Sequence, residues 1–297
     1  MQKFLFKIIR RFIIYFKFYE SNWKRKIFKQ LFKKNKNLNK NFFLEKNNFK
    51  DGYLKINRDE MKKNIYFDQV FSTAKNIITN STLSEGTKRY LRNILINSND
   101  EQIKIFLNFI LDDKIIEEVS RYIQEVPLLT ELKLLHSPAN LKDDLSGSQM
   151  YHRDFDDEKI VKLFFYLVDV DENSGPLEIV KIDKSKQITQ KLESPFLIHS
   201  DQEIENLINY STDCIVCYGK KGDCYLVDTS SCFHRGSRHS LKDRYILYAN
   251  FSSRSSFRFP PIFKNSNDFE IVNFHSPLNK YQKLVGPNKK KYLINNI

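Results

Sequence analysis

The chain has 297 residues, 41% hydrophobic and 14% aromatic, enough for one large domain or two small ones with a buried core. A net charge of +13 spread evenly would suggest nucleic acid or membrane, but residues 1–50 carry 15 Lys and Arg against only Glu20 and Glu45, which accounts for all of it. The rest balances 34 basic with 34 acidic groups, and with no nucleic-acid motif beside the basic stretch a nucleic-acid partner is not expected.

Residues 1–45 read as a basic amphipathic helical segment in which Lys3, Lys7, Arg10, Arg11 and Lys17 interrupt every apolar run. Such a segment is too charged to span a bilayer, which takes roughly 20 nearly uncharged residues. It also lacks the unbroken apolar core and small-residue cleavage site of a secretory leader. Cytoplasmic residence is therefore the expectation. Two roles stay open for residues 1–40: peripheral contact with an anionic membrane, or packing of the apolar face on the domain with the basic face solvated.

Residues 46–297 read as a single domain. Helices are expected over about 57–126, most clearly in the run from Ser98 to Val126, where Ile103, Phe106, Leu107, Ile110 and Leu111 keep helical spacing. Ser98 with Glu101 has the form of a capping box, and Pro127 marks the stop. From about 128 to 255 the chain turns β-rich: "LLTELKLL", "KIVKLFFYLVDV", "PLEIVKI", "DCIVCY", "DCYLVD" and "RYILYANFSS" follow at short intervals. A C-terminal extension, 256–297, closes the chain. Helices followed by antiparallel strands predict a helical layer packed on a β sandwich or barrel, without the βαβ alternation of nucleotide-binding folds. The segments Asp183 to Asp213 and from Pro260 onward read as loops at the mouth of that barrel.

Four cysteines, Cys214, Cys217, Cys224 and Cys232, fall in "DCIVCYGKKGDCYLVDTSSC". The first pair has zinc-like spacing, but the region reads as two strands around a "GKKGD" turn, and residues an odd number apart on a strand point to opposite faces. Buried, reduced thiols are the expected state.

The chemistry gathers at His152 and Asp154. In an extended segment, residues two apart share a face with Cα atoms roughly 6.5–7 Å apart, so imidazole and carboxylate can converge on one ion. His234, just after a strand and turn, is the candidate third ligand, placed opposite by a returning antiparallel strand. Two histidines and one carboxylate bind one face of a ferrous ion and leave positions open for substrate and oxygen. Arg244, at the start of the last strand, would give a 2-oxoacid cosubstrate a bidentate partner. His239 competes with His234, Arg238 with Arg244, and Asp156 and Asp157 with Asp154. His136, His199 and His275 sit in turn-like surroundings and read as loop residues.

Through "YHRDFDD", "KLFFYLVDVDENSGP", "GDCYLVDTSSCFHRG" and "DRYILYANF" the sequence resembles the phytanoyl-CoA dioxygenase-like branch of the iron(II)- and 2-oxoglutarate-dependent oxygenases, over about residues 130 to 255. "FKDGYLKI" also resembles a short element near the start of those domains. Tyr151 stands where the family has Trp, and "IVKIDKSKQ" replaces the stretch it has after "ENSGP". The resemblance implies a double-stranded β-helix (jelly roll, cupin-like), with His152, Asp154 and His234 as Fe(II) ligands and Arg244 as the 2-oxoglutarate anchor. It implies a dioxygenase that uses O2 to hydroxylate a C–H bond of a small-molecule, lipid-like or carrier-linked substrate. Because Asp154 takes the position that related halogenases leave to halide, hydroxylation or desaturation is expected over halogenation. Two rival readings remain, a catalytically silent jelly roll that keeps its metal and a membrane-surface module.

Overall fold

Period-two alternation in the strands decides the architecture, because each long strand carries two different buried faces. The computed structural model describes residues 23, 26, 47–81, 89–95, 98–140, 144–155, 159–193, 197–253, 282 and 285. Of the basic N-terminal segment only Trp23 and Lys26, both helical, are among them, so its expected roles lie outside the described residues, as do Asp156, Asp157, His275 and the segment from Pro260. No described helix is long and apolar enough to cross a membrane.

Strands β1 (Tyr53–Ile56), β2 (Arg92–Asn93), β3 (Leu128–Ser137), β4 (Ile160–Tyr166), β7 (Cys224–Asp228) and β9 (Arg244–Ser252) form a six-stranded antiparallel sheet in the order β1-β7-β4-β9-β3-β2. Strands β5 (Glu178–Val180), β6 (Cys214–Val216) and β8 (His234–Arg235) form a three-stranded one in the order β6-β5-β8. The two strands expected on either side of "GKKGD" are present, but they do not pair with each other. The "GKKGD" turn instead carries the chain from the small sheet to the large one, since β6 pairs with β5 while β7 pairs with β1 and β4. The thiols are accordingly dispersed: Cys224 faces the helices, Cys217 and Cys232 lie in the core shared with the small sheet, and the half-buried Cys214 borders a third cluster.

The helical layer covers one face of the large sheet. It comprises α1 (Arg58–Met61), α2 (Phe67–Asn80), α3 (Asp100–Ile110) and α4 (Asp113–Ile123). The long helical run is two helices, broken where Asp112 caps α4 through its bond from Lys114 N. The capping box lies one residue later than expected, with Asn99 and Gln102 exchanging side-chain and backbone bonds. Val161, Leu163 and Phe165 of β4, with Leu247, Ala249 and Phe251 of β9, pack against Phe106, Phe109, Ile116 and Val119 from this layer. Alternate residues of the same strands point the other way, toward the functional site.

Two further differences concern the edges. "FKDGYLKI" forms β1, where Gly52 has φ +94° and any Cβ would lie 2.3 Å from Cys232 Sγ, so only glycine fits. The stretch expected to be loop contains α5 (Ile182–Lys191), α6 (Asp201–Glu205) and α7 (Tyr210–Asp213). α5 buries Ile188 and, on the same side, Ser185, whose Oγ donates to Val180 O at 3.0 Å and accepts from Phe233 N at 3.0 Å.

Phe165 sits at the centre of the helix–sheet contact, its ring 4.6 Å from that of Phe109, 5.5 Å from Phe71 and 6.0 Å from Phe67. Phe165→Ala should cost about 3–5 kcal/mol, seen as a lower urea midpoint with an unchanged slope. A midpoint equal to wild type would mean that this face does not carry the helical layer.

Candidate metal centre

His152 and His234 face each other across a two-way backbone contact. His152 N donates to His234 O at 3.1 Å and His234 N donates to His152 O at 3.0 Å, an antiparallel bridge between a segment with no regular strand and β8. Asp154 N donates to Thr229 O at 2.9 Å, drawing the aspartate onto the turn that precedes β8. That turn is wound around Asp228, whose Oδ1 accepts from Ser230 N at 3.0 Å and Ser231 N at 2.9 Å. Its Oδ2 accepts from Tyr122 Oη of α4 at 2.6 Å.

One nitrogen or oxygen from each of His152, Asp154 and His234 lies within 4.8 Å of the others, and among the described residues no other group of three such side chains converges in this way. The ring nitrogens are already sorted. His152 Nδ1 lies 2.9 Å from Met150 O and His234 Nδ1 lies 3.0 Å from Cys232 O. A carbonyl can only accept, so each Nδ1 carries the proton and each Nε2 the lone pair a metal requires. Burial, reinforced by any charge on His152, pushes His234 down to about 3, which keeps its imidazole neutral. Burial alone would raise the Asp154 carboxyl, but the ammonium of Lys162, with help from His234 and His152, holds it below the usual carboxylate range. Lys162 Nζ lies 2.5 Å from Asp154 Oδ2, and His234 Nε2 lies 3.8 Å from the same oxygen. One carboxylate and a fixed neutral imidazole are the donor chemistry of a transition-metal site.

The triad lines one side of a cavity of about 300 Å³ that also takes in Arg244. Arg244 opens β9 directly opposite Ser137 of β3 and is 5% exposed. Its Nη2 donates to Ser237 Oγ at 2.8 Å and more weakly to Ser137 Oγ at 3.4 Å, while its Nε and Nη1 are buried without a hydrogen-bond partner. Burial lowers the pKa of this guanidinium, and among the described residues no carboxylate is bonded to it, an arrangement that can receive an anion. Between Arg244 and the triad the lining includes Leu135, Ile246 and Leu177.

The competing candidates do not join this group. His239 is exposed in the loop after β8, and Arg238 is committed to Asp201 of α6. His136 is corrected from loop to strand, lying within β3 with Nε2 2.9 Å from Asp243 Oδ2; His199 lies outside any helix or strand, as expected, but is buried and pairs with Tyr151 through its backbone. Sequence reasoning passed over Lys162, Lys133, Glu131, Tyr248 and Asn250, all of which line the cavity. Their signal is present: each is the inward residue of a strand whose neighbours face the helices.

No protein-family model matches the sequence, and no curated protein matches it either. Solved structures with a partly similar course of chain include the epimerase SnoN in complex with Fe3+, alpha ketoglutarate and nogalamycin RO, at 14% identity over 68% of this chain and 79% of that one, TM-score 0.47. Two others are EctD from S. alaskensis with 2-oxoglutarate and 5-hydroxyectoine, at 11% identity over 69% and 73%, TM-score 0.49, and HygX from Streptomyces hygroscopicus with nickel, 2-oxoglutarate and hygromycin B, at 17% identity over 68% and 83%, TM-score 0.44.

The depressed His234 value sets a pH dependence. An unfolded histidine titrates near 6.5, so between about 3 and that value the unfolded chain binds a proton the folded chain does not. Stability from this group is complete above about 6.5 and is lost as pH falls, and the lowered Asp154 carboxyl acts in the same sense at lower pH. The metal-free protein should show a melting temperature that drops between pH 6.5 and 4, with a shallower drop in His234→Gln. Identical slopes would show that the imidazole is not buried in its neutral form.

Proposed function

We propose that this protein is an iron(II)- and 2-oxoglutarate-dependent oxygenase, with His152, Asp154 and His234 holding the metal and Arg244 holding the cosubstrate, on a double-stranded β-helix of the phytanoyl-CoA dioxygenase-like kind. One observation carries the reading: two imidazoles with their lone pairs on Nε2, and a carboxylate, share a single cavity with a buried guanidinium that has two donors unused. Metal and anion sites of this kind need each other only where a bound anion reaches both.

When bound, iron with 2-oxoglutarate and O2 supplies the oxidation: one oxygen atom leaves in succinate, formed with carbon dioxide, and the other enters a C–H bond of the substrate. The chain's own groups supply the rest. His152 and His234 bind through Nε2 with ring planes fixed by their Nδ1–H bonds, and Asp154 adds the charge that distinguishes hydroxylation from halide chemistry. Arg244 would take the far carboxylate of 2-oxoglutarate by a charge-assisted hydrogen bond from one of its open donors, Nε or Nη1, with its Nη2 held by the Ser237 and Ser137 hydroxyls. Leu135, Ile246 and Leu177 keep water from the space between the two charged ends. A cavity of about 300 Å³ is at the small end for ligand sites, which favours a compact small molecule, or the tip of a carrier-linked one, over a long acyl chain.

Anaerobic addition of Fe(II) and 2-oxoglutarate should give a weak visible charge-transfer band, and air should then release succinate slowly even without substrate. His152→Ala should lose both. Arg244→Met should raise the 2-oxoglutarate KM by about 10–100-fold with metal affinity unchanged, the loss expected of a charge-assisted pair. Metal uptake with no succinate under any condition would instead favour a metal-binding protein without catalysis, and succinate release that survives His152→Ala would remove this reading.

A further inference from the structure

The end of the cavity nearest Asp154 is built from two rows of cross-strand partners. Glu131, Asn250 and Lys162 form one row across β3, β9 and β4, and Lys133, Tyr248 and Phe164 form the next. The ammonium groups of Lys133 and Lys162 lie 5.7 and 5.8 Å from the centre of the Tyr248 ring, so two cations neighbour one aromatic ring. Their counter-charges differ. Lys133 Nζ lies 3.2 Å from Glu131 Oε2, which also accepts from Tyr248 Oη at 3.1 Å. Arg235, another cation of the lining, is held by Glu178, Asp201 and Glu205 at 2.8–2.9 Å. Lys162 has Asp154, the carboxylate assigned to the metal in the reading above.

That assignment upsets the balance. A divalent cation, a doubly charged 2-oxoglutarate, Asp154 and Arg244 neutralise one another, and Lys133 remains matched by Glu131. Lys162 is then left as a cation whose counter-charge has been taken over. Its side chain is 17% exposed, too buried for water alone to compensate an unpaired ammonium. We propose that the substrate carries a singly charged anionic group, a carboxylate or phosphodiester, that pairs with Lys162 beside the Tyr248 ring, and that Lys162 is the residue selecting for it. This rests on the oxygenase reading but goes beyond it, since nothing in metal or cosubstrate binding requires a charged substrate.

The test uses matched fluorine probes on full-length protein saturated with Mn(II) and 2-oxoglutarate. Bound Mn(II) broadens the fluorine resonance of any small molecule held near it, so trifluoroacetate and the neutral 2,2,2-trifluoroacetamide compare the same shape with and without charge. Wild type should broaden the trifluoroacetate line at concentrations about tenfold or more below those needed for the amide, the ratio expected of a charge-assisted hydrogen bond. Lys162→Met should abolish the preference and Lys162→Arg should restore most of it. Equal broadening of the two probes, no broadening of either, or a preference that survives in Lys162→Met would each overturn the proposal. Wild type that fails to take up Mn(II) and 2-oxoglutarate, followed by water-proton relaxation, would remove the oxygenase reading and this inference together, whereas a loaded protein indifferent to probe charge removes this inference alone.

Discussion

The reciprocal backbone bonds between His152 and His234 are the contact on which the site depends. They set two segments that are 82 positions apart in antiparallel register at one point only, without a regular strand to repeat the constraint. Local and long-range contacts together hold that point. Asp228 winds the turn before β8, Tyr122 reaches from the helical layer to bond it, and Arg153, between the two candidate ligands, donates from Nε to Ser230 O at 2.7 Å in the same turn. The helices therefore do more than cover the sheet. Through Tyr122 they fasten the turn that carries the backbone acceptor for Asp154 and leads into His234.

The two faces of the large sheet divide labour. Residues pointing to the helices are almost wholly apolar and give the layer its stability. On the opposite face the same strands present Glu131, Lys133, Lys162, Tyr248, Asn250 and Arg244 to one small cavity, an expensive concentration of charge in a partly desolvated space. Such a surface is tolerated because most of the charges are paired, Lys133 with Glu131 and Lys162 with Asp154, while Arg244 is held by the Ser237 and Ser137 hydroxyls. The apolar band of Leu135 and Ile246 that separates Arg244 from the paired charges falls on a single cross-strand row, so its position follows from register alone.

Much of this was legible in the sequence, and the reason is local periodicity. The strands from Leu128 onward show their alternation, the pair His152 and Asp154 announces a shared direction, and Arg244 stands at a strand start where side-chain direction is predictable. The helical run was legible in type but not in its break, because Asp112 is an ordinary polar residue until its cap bond forms. What stayed hidden depends on contacts between distant segments. The change of sheet at the "GKKGD" turn looks like a hairpin to any local rule, and α5 shows only a few apolar residues among polar ones, with Ser185 adding hydrogen bonds to Val180 O and Phe233 N. His136 read as a loop residue because its neighbours Ser137 and Pro138 are turn formers, yet β9 draws it into the sheet.

Lys162 shows why the charged lining was overlooked and why it matters. A lone lysine among Val161, Leu163 and Phe165 reads as the solvated side of a half-exposed strand, since a polar residue alternating with apolar ones commonly faces water. Here both faces of β4 are covered, one by the helices and one by the small sheet, so the residue that would have faced solvent faces the cavity and must find its charge partner there. It finds Asp154. The ammonium keeps the carboxylate ionised and positioned. On the proposed oxygenase reading, the same contact would make metal binding a displacement as well as an addition, and the site's affinity for a cation would be set partly by where the Lys162 charge can go next.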